Sequence, residues 1–386
     1  MKTQHRSRGF TLVEVLVAAG IVVVLMVVLL GMTDQTQRLV KATSSKVEQF
    51  QEARVAFESM TRRLSQATLN TFWDYVYDQN GNPNGYARKS ELRFHSGPMQ
   101  KITGNKAAPW PGHGVFFQAP LGVVSDTTNL GSLDHLMNSW GYFVEIGDDS
   151  SQYPQFLLQN QLVLPRHRYR LMEFMEPSER LSVYKFQNDI NNWLWFSQSI
   201  AIPGTATASR PVRVMAENIV ALIILPRLSV ADEKRINPLI PPLLTGKSGS
   251  KDYIYDSTTT GNYNPKSSED AIKNNPLLNT KNQLPPVVQV IMVAIDEPSA
   301  KRLEDLYPPA QDQYMGIKTS PDPLSNRTLF ADPSVLNDTA NGAPGDLTRL
   351  QNLLSSSSKP SIRASYRVFS TNVTIKGAKW SLHTSN

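Results

Sequence analysis

Residues 8–16 read R-G-F-T-L-V-E-V-L. They open an apolar run, residues 10–32, in which Glu14 is the only ionisable side chain. As helix the run spans roughly 34 Å at about 1.5 Å per residue, enough for a hydrocarbon core of about 30 Å. Lys2, Arg6 and Arg8 precede it. Their positive charge holds the first end on the cytoplasmic side, so the rest of the chain is expected on the far side of the membrane.

Two ordinary explanations of this segment are incomplete. A cleaved secretory signal has a shorter apolar run and a small-x-small cleavage site, which is not found here. A plain signal anchor accounts for everything but Glu14. A carboxylate inside an apolar helix costs about 2.5–3.5 kcal/mol at mid-membrane and needs a partner. A cut between Gly9 and Phe10 supplies one. Phe10 then carries a new positive amine, and Glu14 lies one helical turn away. In a stack of such helices, Glu14 of one subunit meets the amine of its neighbour. That pairing offsets desolvation only when the helices assemble in register.

R-G-F-T-L-V-E at 8–14 resembles the class III leader of type IV pilins and type II secretion pseudopilins, and Val15 and Leu16 continue the pattern. The resemblance implies that Gly9 ends the leader and that a prepilin peptidase cuts before Phe10 and N-methylates it. It also implies that Glu14 is the assembly carboxylate. Residues 1–9 are then the leader peptide and 10–32 the transmembrane and assembly helix. The implied partners are other pilin or pseudopilin subunits, prepilin peptidase and the inner membrane.

The apolar pattern continues past this segment. Between Thr33 and Trp73 there is neither proline nor glycine, and Thr43, Phe50, Phe57 and Leu64 recur every seven residues with Val40 and Val47 beside them. Charged residues fill the intervening positions. The pattern predicts an amphipathic helix over 33–73 that continues the first, with Glu58 and Arg62 as an i,i+4 surface pair.

Beyond Trp73 the composition turns to strands and loops. Candidate strands are Glu91–Gly97, Val115–Ala119, Gly141–Gly147, Arg168–Met175, Trp193–Ile202, Val212–Leu225, Val287–Asp296 and Tyr366–Ile375. The wholly apolar part of Val212–Leu225, from Ile219 onward, is expected at the centre of a sheet. Two insertions, about 230–284 and 297–360, are expected to be loop-rich decoration. The second carries helix candidates at Pro298–Leu306, with Ser299 placed to cap, and at Gly345–Leu354. Ser355–Ser358 follows as a flexible link. The fold class is therefore α+β: a long N-terminal helix, transmembrane in its first half, packed on a largely antiparallel β head at 74–386.

A-R-V-A-F-E-S-M-T-R-R-L-S-Q-A (53–67), V-R-V-M-A-E-N-I-V-A-L-I-I-L-P (212–226) and L-P-P-V-V-Q-V-I-M-V-A-I (284–295) resemble, in order, segments of the J-type minor pseudopilin. The insertions are longer than that family carries. The chain is also similar to an uncharacterised group called Verru_Chthon cassette protein C, a resemblance that implies no activity.

The chain of 386 residues has no cysteine, which excludes disulfides, thiolate zinc sites and a thiol nucleophile. Net charge is +6, with Lys2, Arg6 and Arg8 supplying half of it and no cationic cluster elsewhere, so no nucleic-acid partner is expected. L-T-G-K-S-G (244–249) has Pro241 where a phosphate loop needs glycine. D-Q-N-G-N-P-N-G (78–85) reads as a hairpin turn. Asp78, Asn80 and Asn82 in it form a weak calcium candidate, since Pro83 and Lys89 occupy the glycine and glutamate places of an EF-hand loop. W-P-G-H-G (110–114) reads as a turn packed by Trp110, and Asp148-Asp149 as a solvated turn. The histidines are dispersed.

These readings predict a non-enzymatic subunit without cofactor: a minor pseudopilin-like protein, held in the inner membrane with a periplasmic head and then placed in a periplasmic or cell-surface filament, near its tip. The alternative is a surface adhesin or DNA-uptake minor pilin that binds an external ligand through its long loops. An exported enzyme on a pilin anchor is a third reading and needs acids or histidines converging in one cleft.

Overall fold

The computed structural model describes residues 11–104, 110–133, 135–150, 153–186, 194–201, 210–230, 253–259, 281–306, 329–330, 342–355 and 363–378. The chain divides into two compact units, Met1–Gln49 and Phe50–Asn386. In chain order the elements are α1 (Leu12–Leu64), β1 (Phe72–Tyr77), β2 (Pro83–Lys89), β3 (His95–Pro98), α2 (Met99–Ile102), β4 (His113–Pro120), α3 (Thr127–Leu130), β5 (Met137–Asp148) and α4 (Gln155–Gln159). They continue with β6 (His167–Glu176), α5 (Leu194–Ile200), β7 (Val212–Glu217), β8 (Ile219–Arg227), β9 (Tyr255–Asp256), β10 (Val287–Ile295), α6 (Glu297–Leu306), α7 (Asp346–Ser355) and β11 (Tyr366–Thr374). The fold is α+β, and its strand pairs are antiparallel.

The first unit contains the apolar part of α1. Leu12–Gln37 is long and apolar enough to cross a membrane, with mean hydropathy 3.1 and no residue buried within the protein. In the second unit α1 turns amphipathic. Phe50, Ala53, Ala56, Phe57, Met60 and Leu64 are buried at helical spacing. The predicted seam is covered only from Phe50 onward, since Val40 and Val47 are exposed. Glu58 pairs with Arg54 at 2.8 Å rather than with Arg62. The helix also ends at Leu64, short of Trp73. Thr68 N donates to Gln118 O at 2.9 Å, so β4 takes up the backbone there.

A six-stranded sheet runs β7-β6-β5-β4-β3-β9, and a three-stranded sheet runs β11-β10-β8. Alternation along β4, β5 and β6 builds two cores, one on each face. Val115, Phe117, Trp140, Tyr142, Val144, Tyr169 and Leu171 face α1 and the three-stranded sheet. Phe116, Phe143, Met172 and Phe174 face α5, where Trp195, Phe196 and Ile200 complete an aromatic cluster. Phe116 and Phe196 stack with centroids 3.9 Å apart.

Four sequence expectations are corrected here. Trp193–Ile202 is not a strand, because Leu194–Ile200 is helix. Val212–Leu225 is two strands in different sheets, broken at Asn218, whose φ of 59° lies in the left-handed region that asparagine tolerates. β8 is not central in its sheet; β10 is. The unbroken apolar character of β8 has another cause: it packs across β3, β4, β5 and β6, so both of its faces are covered. Finally, Asp296 rather than Ser299 caps α6, accepting Ser299 N at 3.1 Å. Ser299 is itself buried and accepts Arg302 and the Ser365 backbone N–H.

The described parts of the two insertions belong to the core rather than to decoration. Tyr253 and Tyr255 of the first, and Leu303, Leu329, Phe330, Leu350 and Leu354 of the second, are buried in the main cluster. Asp346 reaches across to accept Phe330 N at 2.9 Å. Residues 244–249 and 356–358 lie outside the described residues.

Candidate assembly site

The start of α1 shows what Glu14 does within its own chain. Thr11 N and Thr11 Oγ1 both donate to Glu14 Oε2, at 2.9 and 3.0 Å, and Glu14 N donates to Thr11 Oγ1 at 3.3 Å. This is a capping box: residue 11 caps the helix and residue 14 reaches back to the free N–H of residue 11. The helix N-terminus also favours a negative charge at that point. The apolar pattern alone gives Glu14 no partner in its own chain. The missed signal is T-x-x-E before an apolar run, here T-L-V-E at 11–14. Gly9, Phe10, Lys2, Arg6 and Arg8 lie outside the described residues.

At the other end of α1 the head holds the helix through a buried carboxylate. Glu173, in β6, has no exposed surface. Trp140 Nε1 donates to it at 2.8 Å and Tyr142 OH at 3.1 Å, while Arg63 of α1 and Arg213 of β7 both pair with it. The Arg63 guanidinium lies 4.8 Å from the Trp140 ring centroid. Burial, then the Glu173 charge, pushes the Tyr142 hydroxyl well above its ordinary range, so it stays a neutral donor. The same logic recurs at Arg168, where the buried guanidinium joins β6 to α6 through Glu297 at 2.8 Å and Glu304.

The other sequence candidates resolve as structural groups. Asp78 Oδ1 accepts Asn80 N at 2.9 Å and Asn82 N at 2.8 Å, which closes the β1–β2 turn with Gly81 at φ 83°. The Asn82 N–H, with that of Asn80, holds the Asp78 carboxyl below its usual range. Asp78 Oδ1 thus serves the backbone donors of the turn. Asp149 is not solvated as expected. It is buried and accepts Arg166 Nε at 2.9 Å and Tyr153 OH at 3.0 Å.

W-P-G-H-G carries two buried anchors. Trp110 Nε1 donates to Glu145 at 3.0 Å, and Arg210 pairs with the same carboxylate at 2.7 Å. His113 Nε2 lies 2.8 Å from Phe330 O, and Ile224 N donates to His113 Nδ1 at 3.1 Å. That pattern suits a neutral imidazole, and burial lowers its pKa to about 4.

Comparison with curated proteins and with solved structures returns no match. A family model does match the first thirty residues, where Thr11 and Glu14 lie, and nothing of the head: the chain carries the prokaryotic N-terminal methylation motif, the signal of type IV pilins and pseudopilins, at residues 4–30.

Proposed function

We propose that this protein is a minor pseudopilin-like structural subunit. In this reading prepilin peptidase cuts before Phe10, and the subunit joins a periplasmic filament of the type II secretion or type IV pilus kind, near its tip. It acts by binding other subunits, not by catalysis. One observation carries the reading: the methylation motif coincides with a membrane-length apolar helix whose single early carboxylate sits at position 14.

The capping box gives the assembly step a physical form. Both Thr11 donors land on Oε2, so Oε1 is the oxygen offered to a neighbour's ammonium. The carboxylate is partly satisfied while the subunit is alone in the membrane, which lowers the cost of holding it there. It gains a full counter-charge only when a neighbouring Phe10 amine arrives in register. Glu14→Ala tests the reading: membrane insertion stays normal and incorporation into filaments is lost. Normal incorporation of that variant contradicts the role given to the carboxylate.

A second reading, a surface adhesin that binds an external ligand, is favoured by one observation. The β1–β2 hairpin of the head exposes several aromatic side chains.

A further inference from the structure

The β1–β2 hairpin is a sheet of two strands that joins neither larger sheet. Its register places Trp73 opposite Arg88 and Tyr75 opposite Tyr86. With side chains alternating along each strand, these four share one face. The ring contacts agree. Tyr75 and Tyr86 have centroids 4.6 Å apart and bonded hydroxyls, Tyr77 lies 6.3 Å from Tyr75, and Arg88 lies 5.4 Å over Trp73. Trp73, Tyr77 and Tyr86 are each about 60% exposed, at 61%, 59% and 63%. Cross-strand pairing accounts for part of this aromatic content, but a contiguous patch of four largely exposed rings on a hairpin with no core of its own marks a binding surface.

The face runs into a cavity of about 190 Å³. Trp73 and Arg88 line it together with Thr71, Asn282 and Gln283, and Asn282 Nδ2 donates to Arg88 O, which ties the hairpin to that lining. Flat rings beside amide, hydroxyl and guanidinium groups suit a ligand with apolar C–H faces and a rim of hydroxyls. Charge narrows the class. On that face the charged side chain is Arg88, held over Trp73, whereas Asp74 and Lys89 pair with each other on the opposite face. A single cation is too few to hold a polyanion, which disfavours nucleic acid and anionic lipid.

We infer that the Trp73–Tyr75–Tyr77–Tyr86 face and the adjoining cavity form a binding platform for an uncharged oligosaccharide. Sugar rings stack on the aromatic side chains, and one ring enters the cavity, where Arg88 and Asn282 meet its hydroxyls. The inference rests on the head alone and holds whether or not the subunit joins a filament.

The test uses the full chain in a detergent without a sugar headgroup, titrated calorimetrically with cellohexaose, chitohexaose and maltohexaose. Saturable binding of at least one is expected, little changed by salt. Trp73→Ala and Tyr86→Ala each weaken it by about tenfold or more, with unfolding temperature unchanged. Phe156→Ala, which removes an exposed ring on α4, leaves it intact. Three results overturn the inference: no saturable binding of any of the three sugars, binding that survives both hairpin substitutions, or equal loss in Phe156→Ala. Trp73-dependent self-association without sugar binding also overturns it, by giving the face to a second copy of the chain.

Discussion

Arg63, in the last turn of α1, pairs with Glu173 of β6 across 110 residues of sequence. The arginine is about a quarter exposed and the carboxylate is wholly buried. Removing Arg63 leaves that charge with Trp140, Tyr142 and Arg213 as remaining donors. Arg63→Ala is therefore expected to destabilise the head by about 2 kcal/mol, less than the loss of a sole partner. Glu173→Gln lowers the desolvation demand, so adding Arg63→Ala to it costs less than Arg63→Ala alone. Urea unfolding followed by near-ultraviolet dichroism, to which Trp140 contributes, measures this double-mutant cycle.

Two roles of Glu14 can be separated. Glu14→Gln keeps an acceptor for Thr11 N–H, whereas Glu14→Ala removes it. Amide exchange in the first turn of α1 is expected to stay slow in the glutamine variant. In the alanine variant it rises by an amount corresponding to about 1 kcal/mol of lost capping. Both variants lose the negative charge, and both are expected to fail at incorporation. If the glutamine variant assembles normally, capping rather than charge pairing is what assembly requires.

His113 couples the core to pH. Its pKa falls from an ordinary 6.5 to about 4 because it is buried. Below pH 6.5 the unfolded chain takes up a proton that the folded chain refuses, so stability drops as pH falls from that point towards 4. The loss from this group is about 2 kcal/mol between pH 7 and pH 5. Burial also lowers the pKa of His95 and His167, and both add to the loss in the same direction. Urea midpoints at the two pH values should differ less in His113→Gln than in the native chain.

Gly141, in β5, lies against the Phe116 ring. An added Cβ would come within 2.3 Å of Phe116 Cδ1, and Phe116 cannot yield because Phe196 stacks on its ring. Gly141→Ala is expected to cost about 1–3 kcal/mol through overpacking. Thermal unfolding of the variant checks this. A neutral result means the aromatic cluster of β4 and α5 is loosely packed.

Much of this was legible in residues that obey one local rule. The apolar run after Phe10 is uniform in character, and its length and the cations before it point the same way. β4, β5, β6, β10 and β11 alternate or run apolar for a strand's length and bear no competing signal. Failures came where long-range contacts decide. Leu194–Ile200 is rich in aromatic residues because it caps the second core, and that composition imitates a strand. β8 is apolar because it lies across a second sheet, which no local pattern distinguishes from a central strand. Asp149 and Glu173 are buried charges, and their partners at Arg166 and Arg63 are fixed only by tertiary pairing. Aromatic β1 follows α1 without a proline or glycine to mark the change, so the helix pattern extends to Trp73, the second residue of β1. At the candidate site, the position of Glu14 was legible and its capping partner Thr11 was legible but overlooked.

In the proposed assembly, processing before Phe10 fixes the mature N-terminus and supplies the amine that Glu14 needs. The direct measurement is the mass of the N-terminal peptide of the protein recovered from membranes of cells that have a prepilin peptidase. The expected species begins at Phe10 and carries one added methyl group. A peptide that begins at Met1 in such cells, with Gly9 and Phe10 still joined, contradicts the account.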